Sequence, residues 1–434
     1  MGLSEVKDDI TESPYPPTWS DKEPNERNPI AYHSGSRIKI KAKFDLSCPG
    51  FNSSKIRIQP YIDPTASTPG MKFPIRKPEY KDMGNSKYEL EYPESESNIG
   101  FTDNQIAYVE SFSPKWKITY DGTNWEEISN QSSNELYVTW KKPADEVPLN
   151  TFTYENYEFK HIHSIFDISC KANNGQIISD EQVLLNNIWA VFKNSSNISY
   201  NNLLKRKDNK LLTYYKNFHT LNQTAPSMIR DVDATGQCFS FSFLFIDLQR
   251  IQGSNLVTFL NNHKNVVPKY YEPHRTLCGD VSNTLNDNPI QYFLVKNWLF
   301  EGTGLDRNRC IDLPYVLLSS TESIQNQGTN LLVKGDIKKI NGIEGQNQPE
   351  PLSIFAVHSV VLINGQYYDA SYGKTYSSIP DFTNHAIAGW LRKPKISTEN
   401  DYNLDVNGDG QVDNKTIYSF GATNQLSTWD ITIK

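Results

Sequence analysis

The sequence predicts a multidomain chain, an all-β sandwich followed by an α+β domain. Three observations predict it. Between residues 30 and 148, apolar and polar residues alternate with period two in short runs broken by Pro, Gly and Asn. After residue 148 the apolar spacing lengthens to that of helices. Later still, a strand pair forms around an Asn-Gly turn. Helices first and strands after them is an α+β order. The 434 residues suffice for about three folding units.

Composition narrows the function classes. The 43 basic residues are outnumbered by 50 acidic ones, giving a net charge of −7. No basic excess is present to neutralise phosphates, which argues against a nucleic-acid partner. Aromatic residues make up 12%, too many for a disordered chain. No apolar run approaches the roughly 20 residues that span a bilayer, so the chain reads as not membrane-embedded.

Residues 1–29 read as a flexible polar, Pro-rich tether, with Pro14, Pro16, Pro17, Pro24 and Pro29. Residues 1–10 lack an apolar core, which fits a cytosolic chain or one whose signal was removed. The tether favours the second, a secreted or cell-surface protein. The sequons at Asn52, Asn130, Asn194, Asn197, Asn222 and Asn414 carry little weight in so Asn- and Ser-rich a chain.

Alternation begins in earnest at Arg37 (RIKIKAKFDLSC) and recurs from Lys55, Lys87, Ile106 and Asn134, with Asp121-Gly122 as a hairpin signal. Short strands so spaced predict a sandwich over 30–148. Its simplest role is a spacer or stability module. The alternative is contact with a protein or a cell-surface polysaccharide, for which Trp116, Trp125 and Trp140 could stack on sugars, although core tryptophans explain them equally well. From Glu158 the apolar spacing is helical. Ser179, with Gln182 three residues on, forms a capping-box pattern ahead of the stripe Val183, Leu184, Ile188, Val191 and Phe192. A further helix is expected within TLNQTAPSMIRDV.

Cys238 follows Gly236-Gln237 and precedes an almost wholly apolar run, Phe239 to Ile251, that stops at Gly253. This predicts a buried helix with a glycine stop and with Cys238 at its N-terminus. Converging N–H groups there favour a thiolate. The competing reading is one more buried, inert thiol. Asn364-Gly365 predicts a two-residue type I′ hairpin, which pairs Ile363 with Gln366 and Val360 with Asp369. His358, Val360 and Asp369 then share a face. His358 lies diagonal to Asp369 at about 7–8 Å, within side-chain reach. An acid so placed fixes the imidazole's tautomer and stabilises its charged form.

Gly-Gln-Cys opening an apolar helix, followed by His-Ser-Val-Val-Leu-Ile-Asn-Gly-Gln-Tyr-Tyr-Asp-Ala-Ser-Tyr-Gly, resembles the transglutaminase-like superfamily of papain-like cysteine enzymes. The resemblance covers about 159–394 and is specific at the two motifs. It implies Cys238 as nucleophile, His358 as general base and acid, and Asp369 as orienting acid. It also implies an α+β catalytic core over 149–400, and the sandwich before it resembles an immunoglobulin-like domain. Compact members have a shorter Cys-to-His link, so 255–350 reads as an insertion. The chemistry implied is attack of a thiolate on an amide carbonyl of a protein or peptide substrate. A thioester forms and is resolved by water or an amine. Hydrolysis is the leading outcome and transamidation the other. Oxyanion donors would be the Cys238 N–H and an upstream side chain, with Gln182, Trp189 and Tyr215 as candidates. Trp189 also fits a core role.

The five cysteines are Cys48, Cys170, Cys238, Cys278 and Cys310, an odd number. In a secreted protein, Cys278 and Cys310 could form a disulfide, leaving Cys48 and Cys170 to pair or stay as thiols. A zinc site of His274, Cys278 and Cys310 fits no standard spacing.

Near the end, Asp405, Asn407, Asp409, Gly410, Gln411 and Asp413 match positions 1, 3, 5, 6, 7 and 9 of an EF-hand loop. Alternating oxygen ligands around a glycine turn suit Ca²⁺. The loop, within 401–434, resembles dockerin-like and bacterial EF-hand segments. Thr416 departs from the usual carboxylate at position 12, and a solvated turn is the alternative. No organic cofactor is implied. The leading reading is thus a secreted bacterial cysteine enzyme. The alternative from another class is a non-catalytic surface binding or scaffold protein that keeps the fold. If the loop binds Ca²⁺ structurally, chelation lowers the melting temperature and added Ca²⁺ restores it. A melting temperature indifferent to both would remove the site.

Overall fold

The structure is a computed structural model that describes residues 3–18, 27–49, 51–129, 133–149, 157–193, 198–215, 222–257, 262–268, 344–349 and 358–392, with short strands at 290–295, 298–300, 315–317, 332–334, 337–339, 354–355, 417–422 and 431–433. The chain divides into two units. One is Met1–Phe152, Glu158–Val191 and Asp247–Val257, and the other is Thr153–Tyr157, Phe192–Ile246 and Thr258–Lys434.

The first unit is rich in β-structure. Its strands are β1 (Leu3–Ser4), β2 (Pro29–His33), β3 (Arg37–Ser47), β4 (Arg57–Ile62), β5 (Met71–Lys72), β6 (Glu79–Gly84), β7 (Lys87–Gly100), β8 (Ala107–Phe112), β9 (Lys115–Thr119), β10 (Glu126–Glu127) and β11 (Asn134–Thr139). They form sheets of order β1-β2-β11-β8, β10-β9-β4-β5 and β3-β7-β6. Alternation explains the faces. Tyr32, Ala107, Phe112, Leu136 and Val138 from the first sheet meet Ile62 and Met71 from the second in one buried cluster, which Ile38 of β3 joins. The outward lysines of β3 face glutamates of β7, as in Lys41–Glu91 at 2.5 Å. Such exposed pairs add little stability. Strand β6 escapes sequence reading because all six of its residues are exposed and show no alternation.

The first part of the expected tether is built into this unit, a correction to the reading of 1–29. Leu3 and Ser4 pair with Tyr32 and Ala31, and Val6 is buried. The Lys7 N–H donates to the His161 carbonyl at 2.8 Å, and the His163 N–H donates back to the Lys7 carbonyl at 2.8 Å. Helix α1 (His163–Ala172) starts after Ile162, which has no side-chain acceptor. Asp9 supplies it instead, accepting from the Ser164 N–H at 2.8 Å and the Ser164 hydroxyl at 2.5 Å. Helix starts leave N–H groups that need partners, and a cap 155 positions away leaves no local pattern to read.

Helix α2 (Glu181–Lys193) follows. Its N-terminal acceptor is Asp180, not the expected Ser179: Asp180 Oδ1 accepts from the Gln182 N–H at 2.9 Å and the Val183 N–H at 3.0 Å. Helix α1 and most of α2, grouped with the catalytic part on sequence, fall in the first unit. Gln252 ties that unit together, accepting from the Trp140 N–H at 2.9 Å and donating to the Ser169 hydroxyl at 2.9 Å. The neighbouring Gly253 has φ of +71°, and a Cβ there would lie 2.3 Å from the Lys142 carbonyl oxygen. Only glycine combines that conformation with that approach.

The second unit contains β12 (Thr213–Tyr214), α3 (Ala225–Arg230), β13 (Thr235–Gly236) and the first residues of α4 (Cys238–Arg250), up to Ile246. Its site-bearing sheet is made of β14 (His263–Pro268), β15 (His358–Ile363), β16 (Gln366–Asp369), β17 (Lys374–Tyr376) and β18 (Ile431–Ile433), in the order β17-β16-β15-β14-β18. Helix α5 spans Ile379–Ala386. Strand β14 comes from the stretch read as an insertion, yet it pairs Val266 with His358 inside the sheet. Among the described residues no helix is long and apolar enough to cross a membrane.

The Asp9 cap gives a direct expectation. Asp9→Ala should cost about 1–2 kcal/mol by chemical denaturation, and Asp9→Asn, which keeps an acceptor for the Ser164 N–H, should cost less. Equal stability of all three proteins would show that the N-terminal segment does not support α1.

Candidate active site

Cys238 begins α4 because the chain can enter the helix closely there. A Cβ on Gly236 would lie 2.5 Å from Met228 Sδ and 2.8 Å from Ser240 Cβ. The helix is held by its apolar residues Phe241, Leu244 and Phe245, all fully buried. Its serines are buried but satisfied. Ser240 Oγ donates to the Asn222 carbonyl at 2.6 Å, and Ser242 Oγ donates to the Ser359 carbonyl at 3.0 Å. The second bond joins the helix to the strand that carries His358, one residue from it.

The hairpin has the expected register. Ile363 pairs with Gln366, Leu362 with Tyr367 and Val361 with Tyr368. Asn364 and Gly365 have φ of 50° and 80°, as a type I′ turn requires. His358 and Asp369 are both fully buried, and His358 Nε2 and Asp369 Oδ2 hydrogen-bond at 2.9 Å. The imidazole also hydrogen-bonds Cys238. The His358 ring lies 5.5 Å from the Tyr372 ring and stacks at 6.2 Å on Phe382.

The electrostatics follow from this packing. Burial alone would push the His358 pKa down. The Asp369 charge and hydrogen bond, with the Cys238 contacts, more than offset it and hold the pKa at about 10. The imidazole is therefore charged at neutral pH. Three phenols couple electrostatically to Cys238, those of Tyr214, Tyr215 and Tyr372, and burial first of all raises each of them. Cys170 is the contrasting thiol. Burial pushes it up to about 12, which leaves it unreactive.

A residue that sequence reading missed braces this site. Gln346 is fully buried. Its Nε2 donates to the Phe192 carbonyl at 2.8 Å and the Ala370 carbonyl at 3.1 Å, and its Oε1 accepts from Asn201 Nδ2 at 3.1 Å. Its backbone accepts from the Tyr214 N–H at 2.8 Å and donates to the Ser371 carbonyl at 3.0 Å. It thus spans from β12 to the residues immediately after Asp369. Only the Asn- and Gln-rich composition hinted at polar braces, and composition names no position.

The structure brings Cys238, His358 and Asp369 together, with Tyr215 in the same unit. Gln182 and Trp189 are residues of the first unit. Gln182 Nε2 donates to Asn186 Oδ1 at 3.1 Å, one helical turn away, and Trp189 lies in the apolar core, 7% exposed. Cys48 and Cys170 are free thiols. Cys278, Cys310, His274 and the loop residues Asp405, Asn407, Asp409, Gln411 and Asp413 lie outside the described residues. Among the described residues, no three His, Cys, Asp or Glu side chains cluster as a metal site.

No family model matches the chain, and no curated protein matches it. Among solved structures, a transglutaminase of red sea bream is similar, at 10% identity and a TM-score of 0.26, over 89% of this chain and 50% of that one. The chain thus spans about half the length of that protein.

The His358–Asp369 pair makes a pH prediction with a defined sign. A folded pKa raised from the ordinary value of about 6.5 to about 10 contributes stability that is fully present below the lower value and is lost as pH rises through about 10. Replacing Asp369 by Asn removes the carboxylate that raises His358, so the imidazole should titrate lower. An NMR titration that finds the same His358 pKa in both proteins would contradict the ion pair.

Proposed function

We propose that the chain is a transglutaminase-like cysteine enzyme that acts on amide or peptide bonds through a thioester. The single observation that carries this reading is the buried Cys238–His358–Asp369 constellation, with the imidazole held charged beside a helix-N-terminal thiol. In this reading Cys238 Sγ attacks the carbonyl carbon and the π electrons move onto oxygen. His358 gives its proton to the leaving amine as the tetrahedral species collapses. His358 then takes a proton from water, or from an acceptor amine, as the thioester is resolved. Water is the leading acceptor. The β-rich first unit is read as an immunoglobulin-like module, the 405–413 loop as a structural Ca²⁺ site, and the protein as secreted.

Cys48 supplies an internal reference, because it is a free thiol only partly buried. Near neutral pH, iodoacetamide should alkylate Cys238 about tenfold faster than Cys48, since an ordinary thiol is mostly protonated there. His358→Ala should abolish the difference. Peptide mapping that finds Cys238 no faster in the wild-type protein would sink the activated-nucleophile reading. Product analysis with and without a primary amine then separates hydrolysis from transamidation.

A further inference from the structure

Strand β3 has a free edge. Its sheet has the order β3-β7-β6, so among the described residues no strand pairs with β3 on the side away from β7. The β3–β7 ladder shifts register twice, and each time the extra residue is in β7. Strand β3 itself runs regularly, exposed at every odd position from Arg37 to Ser47 and more buried at every even one. Main-chain groups alternate between the two edges of a strand in the same way. The Ile38 N–H donates to Ser97 Oγ at 3.1 Å and the Cys48 N–H to the Ser86 carbonyl at 3.0 Å, both on the β7 side. The N–H and C=O groups of Lys41, Lys43 and Asp45 therefore point to the free edge. The Lys39 N–H points there too, where it donates to the Tyr32 phenol oxygen.

The edge lines a groove of about 1680 Å³ within the first unit. One wall is the even face of β3, where Ile40, Ala42, Phe44 and Leu46 are only half covered. The other wall carries Trp116 and Ile118 of β9. Along the odd face stand Arg37, Lys39, Lys41 and Lys43, each paired with a glutamate of β7 and each side chain still 43–58% exposed. An acidic row on β7 is thus followed by a basic row on β3, and a strand added outside β3 meets the basic row. Opposite charges directly across a strand pair stabilise it, and like charges destabilise it. A second copy of this chain fits poorly. Antiparallel pairing of two β3 strands about Lys41 sets Lys39 against Lys43, and pairing about Ala42 sets Lys41 against Lys43. Edge lysines guard a strand against its own kind, but they do not guard it against an acidic one.

We propose that the free edge of β3 is a docking site for an extended segment of a partner polypeptide in which acidic and apolar residues alternate. The segment adds as one more strand of the sheet. Its main chain bonds the N–H and C=O groups of Lys41, Lys43 and Asp45. Its carboxylates face Lys39, Lys41 and Lys43, and its apolar side chains enter the groove beside Ala42 and Phe44. Asp45 ends the basic row, so a basic residue opposite it fixes the direction of the segment. This binding is independent of the thioester chemistry proposed for the second unit.

The probe is the acetylated and amidated peptide Lys-Val-Glu-Val-Glu-Val-Glu. Antiparallel to β3, it sets its lysine opposite Asp45 and its glutamates opposite Lys43, Lys41 and Lys39. Fluorescence anisotropy of the labelled peptide with the full chain should show saturable binding. At a peptide concentration about ten times the dissociation constant, amide hydrogen exchange at Lys41, Lys43 and Asp45 should slow about tenfold. Methylating the glutamate nitrogens removes the donors to β3, and replacing the glutamates by lysine reverses the charge. Each change to the peptide should abolish binding to the wild-type protein. The double substitution Lys41→Gln and Lys43→Gln should weaken binding of the acidic peptide several-fold. Absence of saturable binding, equal binding of the lysine peptide, or binding that leaves exchange at β3 unchanged overturns the proposal. Protection of the same amides on concentrating the protein alone, with a doubled mass, assigns the edge to a second copy and overturns it as well.

Discussion

The buried ion pair between His358 and Asp369 is the interaction on which the arrangement around Cys238 depends. Both side chains are removed from water, and two such charges persist only when each has its partner in good geometry. Removing one partner of a buried pair costs about 3–5 kcal/mol in general, because the other is left as an uncompensated charge. Their alignment is set by the Asn364-Gly365 turn. Side chains alternate along a strand, so a slip of one residue in the pairing would turn one member of the pair away from the other. The positive φ values at both turn positions are a local backbone requirement, and through register they decide whether an acid meets a histidine. Turn chemistry and site chemistry are one constraint.

The pair must also be held against α4. Two polar features do this where apolar packing alone would allow sliding. Ser242 bonds the carbonyl of Ser359, next to His358. Gln346 bonds both the carbonyl after Asp369 and the carbonyl of Phe192, and it receives the Tyr214 N–H. Buried polar networks are costly unless saturated, and saturated ones fix a unique arrangement. Both side-chain ends of Gln346 find partners, so the second case applies here.

What was legible in the sequence was whatever a short-range pattern encodes. The period-two runs led to β3, β4, β7 and β11. The Gly253 stop and the apolar run led to α4, and the Asn-Gly turn led to the register and hence to the His358–Asp369 bond. What was not legible is carried by long-range contacts or by residues without a pattern. Asp9 caps α1 across 155 positions. Strand β6 is exposed throughout and shows no alternation. Gln346 sits in a stretch that reads as loop, and its five bonds exist only because the fold surrounds it. Strand β14 was hidden for a related reason: a long stretch rich in Asn, Gly and Pro reads as an insertion, although part of it pairs with the strand bearing His358.

The two buried cysteines show why residue type alone could not separate a thiol beside a charged histidine from a core thiol. Cys170 and Cys238 are almost equally inaccessible, at 0% and 1% exposure. Cys170 sits within α1, and its sulfur contacts the Val138 carbonyl and the Gln252 amide. Burial outweighs the Gln252 contact, the Asp167 charge adds to it, and the thiol stays protonated. Cys238 sits at a helix start, beside an imidazole that an acid keeps charged. Charges interact more strongly away from water, so a buried sulfur is governed by the charged groups beside it. Burial therefore amplifies whatever charges surround a sulfur, and it is its neighbours, rather than its depth, that set Cys238 apart from Cys170.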